Sequence, residues 1–181
     1  MLETNRLILR QFDERDIDVV YDMRRDPEVM RFIRRPQSRA ETINWLKLIS
    51  SRWTDERIGF CAVIERSSNK FIGWCGLWRL KETGEIEVGY AVVKEFRGNG
   101  FAAEAAGRCL RYGFEELKVE RIVSVARPEN TASRRVMEKL GMRYDYTGEF
   151  YGRPLVHYAI TAKEFLTSRS STADAGGGRR P

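Results

Sequence analysis

The sequence predicts an α+β fold built on a mixed, mostly antiparallel sheet of seven strands with about four helices. Three observations predict it. Two helical segments precede most of the strands. Three strand-like runs then follow one another with only short turns between them, the pattern of an antiparallel meander. Last, a strand, a helix and a second strand follow in the order of one parallel crossover, before a final hairpin.

The elements follow from local patterning. Arg6 to Phe12 alternates Leu7 and Leu9 with Ile8 and Arg10 and predicts a first strand, with Asp13 as N-cap for a helix over Glu14 to Arg25 that Asp26-Pro27 breaks. Ser38 caps a second helix that carries Ile43, Leu46, Ile49 and Trp53 at helical spacing. The meander strands are Phe60 to Arg66, Phe71 to Leu80 and Glu85 to Val93. Ala102 to Leu117 places Ala103, Ala106, Leu110, Phe114 and Leu117 on one helical face. Arg121 to Ala126 predicts a strand, Asn130 to Leu140 a helix ending at Gly141, and Met142 to Ile160 a hairpin turning near Gly152.

The chain has 181 residues, 42% of them apolar, enough for one domain with a substantial core. Residues 1–167 are expected to form that domain. Ser168 to Pro181, rich in Ser, Gly and Ala with little to bury, is expected to be a disordered basic tail. The apolar runs are short and the N-terminus carries no apolar signal region, so neither secretion nor membrane insertion is expected. The three cysteines, Cys61, Cys75 and Cys109, are widely spaced and accompanied by a single histidine, His157. That pattern predicts buried filler in a reducing cytoplasm, with no disulfide framework and no metal site. The net charge of +6 is interleaved with carboxylates. No zinc pattern, helix-turn-helix or aromatic RNA-binding signature accompanies it, so nucleic acid is not the expected partner.

The segment Arg97-Gly98-Asn99-Gly100-Phe101-Ala102 lies between a strand and a helix. Two glycines there let successive backbone N–H groups converge, and the positive end of the following helix favours an anion. Each contact with that helix end contributes about 0.3 to 1 kcal/mol. No Lys-Ser or Lys-Thr follows the last glycine, as in a nucleoside triphosphate loop, and no third glycine completes a dinucleotide fingerprint. A tight strand-to-helix turn without a ligand is the other reading of the glycines alone.

Arg97-x-x-Gly100-x-Ala102 is preceded by Glu87-Val88-Gly89-Tyr90-Ala91-Val92. It is followed by Asn130-x-x-Ser133 and then by Glu138-Lys139-Leu140-Gly141-Met142. Together these motifs resemble the GNAT superfamily of N-acetyltransferases, over residues 2 to 167. The opening Glu3-Thr4-Asn5-Arg6-Leu7-Ile8-Leu9-Arg10 and the Arg121 to Asn130 stretch look most like the branch that acetylates N-terminal alanines of ribosomal proteins. The resemblance implies a splayed central strand pair and acetyl-CoA as acetyl donor. The backbone of Ala91 and Val92 would meet the pantetheine arm, and Arg97, Gly98, Asn99, Gly100, Phe101, Ala102 and Ala103 would form the diphosphate site. Asn130 would hydrogen-bond the pantetheine arm, a role compatible with a plain helix N-cap. The acceptor would be a primary amine, such as a protein N-terminus, and the protein itself a monomer or a homodimer.

The chemistry is attack of a neutral amine on a thioester, which calls for a base and for a donor to the departing thiolate. The tyrosine usual in the family seven residues past the motif asparagine is Met137 here. Ser133 is the substitute donor to sulfur, a capping serine being the alternative. Glu85 and Glu87 share one strand face. Glu87, in the Glu-x-Gly-Tyr position, is the expected base, against Glu85 or a solvated face. An α-amine with pKa about 7.8 makes a smaller demand on that base than a lysine at about 10.4. Acceptor recognition is expected from the first helices, the Arg31 to Pro36 link and the hairpin around Tyr151. Other readings are acetylation of a small amine, and a CoA-binding protein without turnover.

Overall fold

A computed structural model describes residues 1–167, and the predicted tail at 168–181 lies outside the described residues. Eight strands form one sheet in the order β1-β2-β3-β4-β5-β6-β8-β7. They are β1 (Leu2–Glu3), β2 (Leu7–Arg10), β3 (Phe60–Glu65), β4 (Lys70–Arg79), β5 (Ile86–Val92), β6 (Arg121–Ala126), β7 (Arg143–Phe150) and β8 (Arg153–Thr161). All neighbours are antiparallel except β5 and β6. The α+β class stands, with one more strand than predicted: Leu2–Glu3 pairs with Leu9 and Ile8, and two residues are too few to show a period.

The helices are α1 (Ile17–Arg25), α2 (Pro27–Met30), α3 (Arg39–Glu56), α4 (Phe101–Arg111) and α5 (Thr131–Lys139), with a further helical segment at 162–167. Asp26-Pro27 does break the first helix and also starts another. The Asp26 carboxylate accepts from Glu28 N at 2.7 Å and Pro27 takes the first helical position, where no N–H is needed. Ser38 and Glu41 close a reciprocal capping box at the head of α3. The long helix expected over Ala102 to Leu117 narrows to α4 and continues as a widened π turn, Tyr112–Glu116.

Strand alternation divides the core between the two sheet faces. Leu7, Leu9, Val63, Leu77 and Val88 pack with Ala105, Ala106 and Leu110 of α4 and Met137 of α5. Ala62, Ile64, Trp74 and Ala91 pack on the other face, with Val20 and Met23 of α1 and Leu46 and Ile49 of α3. Cys61, Cys75 and Cys109, the last on α4 itself, are all buried and free. His157 is fully buried on β8, flanked by Glu85 and Asp145 and packed in one cluster with the Tyr146 and Phe150 rings.

Candidate active site

The one parallel pairing in the sheet is short. β5 meets β6 only at Ile86–Ile122 and Glu87–Val123, although both strands run on for several residues. At the parting point Ser124 Oγ donates to Val88 O at 2.9 Å. Beyond it the strands splay. Val93 N donates to Ile72 O on β4, so by alternation the backbone groups of Ala91 also face β4. Those of Tyr90 and Val92 face the opening. Val92 O already accepts from Arg97 Nε at 3.1 Å, which turns that arginine back along the strand end.

The glycine loop follows β5 through a short 3-10 turn, Lys94–Phe96. Gly98 and Gly100 have φ of 82° and 80°, left-handed values that cost an ordinary residue about 1 to 2 kcal/mol. Asn99 Nδ2 bridges Phe96 O and Arg97 O, and the Asn99 backbone carbonyl accepts from Arg6 Nη1 at 3.1 Å. The first amides of α4, from Phe101 to Ala103, have no acceptor within their own helix. Arg6 lies 4.6 Å over the Phe101 ring and is tied to Glu104, whose carboxylate also accepts from Thr4. Amides, two left-handed glycines and a neighbouring Arg6 and Lys139 make a cradle that fits a diphosphate.

A cavity of about 290 Å³ opens at the splay, lined by residues that include Glu87, Tyr90, Ser124, Asn130, Ser133 and Tyr151. Phe60, Trp74, Trp78 and Trp45 form its aromatic wall, the Phe60 ring 4.5 Å from Trp74 and 5.5 Å from Trp78. A larger groove of about 830 Å³ runs along the flank of α4 and holds none of Glu87, Tyr90 or Ser133.

Glu87 is 8% exposed. Burial pushes its carboxyl pKa up to about 7, against the Tyr151 hydroxyl and the Val125 backbone N–H, which favour the ionised form. Tyr151 Oη donates to Glu87 Oε2 at 2.6 Å. Glu85, the other candidate, accepts from Arg121 at 3.0 Å and lies 3.4 Å from His157, outside the cavity lining. Tyr90 leaves β5 on the opposite face and donates to Ser133 O at 3.1 Å, with Ser133 Oγ also at 3.1 Å. Burial, more than any other influence, raises the Tyr90 phenol pKa and keeps it protonated at neutral pH. Ser133 N donates to Asn130 Oδ1 at 3.2 Å, so Asn130 does cap α5. Met137 is fully buried in the core, away from the cavity lining.

Of the predicted residues, Glu87, Asn130 and Ser133 line this cavity, whereas the loop from Arg97 to Ala103 lies beyond the end of β5, outside the cavity lining and with Ala103 on the groove along α4. The reading from sequence gives no site role to Tyr90 or Ser124, and names Tyr151 without its contact to Glu87. Strand alternation puts Tyr90, three residues beyond Glu87, on the other face, but its meeting with Ser133 has no local signal. Ser124 and the Tyr151 contact with Glu87 depend on pairings across the sheet.

A carboxyl held near neutrality and a hydroxyl pair on opposite sides of a strand opening can serve one proton acceptor and one hydrogen-bond donor. Residues 6–143 match the family model described as "Acetyltransferase (GNAT) domain". The chain belongs to the GNAT acetyltransferases. It is 32% identical over 142 residues to the uncharacterized N-acetyltransferase YnaD of Bacillus subtilis, covering 78% of this chain and 82% of that protein. It is 29% identical over 175 residues to the FsC-acetyl coenzyme A-N(2)-transacetylase of Aspergillus fumigatus, covering 85% of this chain and 72% of that one. The crystal structure of a GNAT-family acetyltransferase from Bacillus anthracis superposes with a TM-score of 0.78 at 28% identity, over 90% of this chain and 99% of the other. This protein is therefore an acyltransferase acting on an amine acceptor. No helix among the described residues is long and apolar enough to cross a membrane.

Proposed function

We propose that this GNAT enzyme carries an acetyl group from acetyl-CoA to the α-amine of a protein or peptide N-terminus by direct attack in a ternary complex. The observation that carries the reading is Glu87, a buried carboxyl with pKa raised to about 7 beside the splay of β5 and β6. The Aspergillus relative, whose name includes acetyl coenzyme A, supports the donor.

In this reading the amides from Gly98 to Ala103 hold the diphosphate, and the cleft-facing backbone of Tyr90 and Val92 pairs with the pantetheine arm, with Asn130 Nδ2 as a further donor. The neighbouring Ala91 contributes by packing, since its backbone faces β4. Glu87 takes the proton of the attacking ammonium, directly or through water. Its pKa lies close to the ~7.8 of an α-amine, so that transfer costs little, whereas a lysine near 10.4 would lie uphill by about three units. On the other face of β5, Ser133 Oγ donates a hydrogen bond to the departing sulfur, as does Tyr90 Oη once its single O–H turns away from Ser133 O. Both are weak acids, and hydrogen bonding to the developing thiolate is the contribution their pKa values permit.

Acetylation of an N-terminal peptide library beside lysine peptides, polyamines and small amine drugs, with acetyl-CoA as donor, tests the reading. Turnover confined to α-amines is expected. Turnover of lysine, polyamines or drugs with none on any α-amine would reject the N-terminal acceptor and keep the transferase.

A further inference from the structure

Arg24, near the end of α1, is 3% exposed, yet no hydrogen bond or ion pair satisfies its guanidinium among the described residues. Its one close partner is the Trp45 ring, 4.2 Å below it. Burial first, then the neighbouring Arg34, lowers its pKa to about 10. A buried guanidinium of this kind is a donor set without an acceptor.

Arg24 is not alone. Arg34, Arg127 and Arg153 line the same cavity, which contains Glu87 as its one carboxylate. Arg127 keeps a buried Nε with no partner and reaches Glu129 only at 3.6 Å. Arg153 donates to Ile33 O at 2.7 Å, and its pKa is lowered by burial and then by Arg127 and Arg34. Four cations thus crowd one aromatic-walled cavity and repel one another. Such an arrangement is stable in use when an anion enters to share them.

We propose that the acceptor is an acidic amine: the reacting α-amine faces Glu87, and a carboxylate on the same residue seats against Arg24, with Arg34, Arg127 and Arg153 around it. This deepens the acetyl-transfer reading and rests on it. The planar fork of Arg24, held by Trp45, suits a bidentate carboxylate. The same four charges repel polyamines and other polycations, which makes those the poorest acceptors.

Peptides that begin with Asp and Asn, otherwise identical, supply the test, with free aspartate and asparagine separating a peptide source from an amino-acid source. In the wild type kcat/KM for Asp exceeds that for Asn by at least about tenfold, the size of one charge-assisted hydrogen bond. That ratio falls towards one in Arg24→Met, whose side chain keeps the packing on Trp45. It also falls in Arg34→Gln, an exposed site that leaves the fold alone. A wild-type ratio near one, or a ratio unchanged in Arg34→Gln, overturns the proposal while transfer to neutral α-amines stands. Calorimetry with the N-acetylated Asp and Asn peptides reads the anchor without turnover. Tighter binding of the acetylated Asp peptide, with no α-amine turned over, keeps the anchor and rejects the α-amine reading.

Discussion

The Tyr151 hydroxyl donates to Glu87 Oε2 at 2.6 Å, joining the β7–β8 turn to the start of β5 across the cavity. This bond favours the ionised carboxylate and opposes the burial that raises the Glu87 pKa to about 7. Tyr151→Phe removes that support. The acidic limb of the kcat/KM profile is expected to move to higher pH by about one unit, the effect of one hydrogen bond to a charged group. An unmoved limb would separate Tyr151 from the titration of the base.

Glu87 itself links activity to stability with opposite signs. Its folded pKa lies above the unfolded value of 4.5, so its contribution to stability is fully present below pH 4.5 and is lost as pH rises through about 7. Glu87→Gln should therefore match the wild type near pH 4 and exceed it above pH 8, by on the order of 3 kcal/mol in denaturant titrations. The same variant should lose about a hundredfold or more in kcat/KM and show no acidic limb near pH 7. Equal stability at both pH values would mean that the carboxyl is hydrated in solution.

Tyr90 and Ser133 act on one atom in the proposed mechanism, so their removal should not add. Ser133→Ala and Tyr90→Phe are each expected to lower kcat by about tenfold with little change in KM for acetyl-CoA, and the double variant by less than the product. Unchanged turnover in Ser133→Ala removes that serine from the chemistry. Multiplying effects would mean that the two hydroxyls work independently.

The α+β order and the glycine turn ahead of α4 were legible because they rest on local signals: the alternation of Leu7 and Leu9, the Ser38–Glu41 capping box, and paired glycines ahead of an amphipathic helix. What the sequence hid is set by long-range geometry. Glu85 and Glu87 are equivalent in the strand pattern, and only the early end of the β5–β6 pairing puts one at the opening while Arg121 and His157 hold the other. Tyr90 meets Ser133 across 43 residues, beyond the reach of any periodicity. Arg24 reads as an ordinary cation in the last turn of a helix, where the macrodipole favours it. Its burial depends on the packing of α1 against α3.

Gly100 separates the cost of a backbone conformation from the cost of lost space. A Cβ there would lie 3.7 Å from Arg6 Nη2 and 4.0 Å from Lys139 Nζ, ordinary contacts, so there is room for a side chain. The φ of 80° is the obstacle. Gly100→Ala should destabilise the fold by about 1 to 2 kcal/mol or shift the loop to relieve that strain. A shift of the loop turns the first amides of α4 away from a common focus, and KM for acetyl-CoA should then rise several-fold with a smaller change in kcat. Gly100→Asn is the control, since asparagine enters the left-handed region more readily than alanine. It should recover much of the loss in both stability and KM. If Asn proves as harmful as Ala, a side chain at this position obstructs the donor itself, and the strain argument gives way to a steric one.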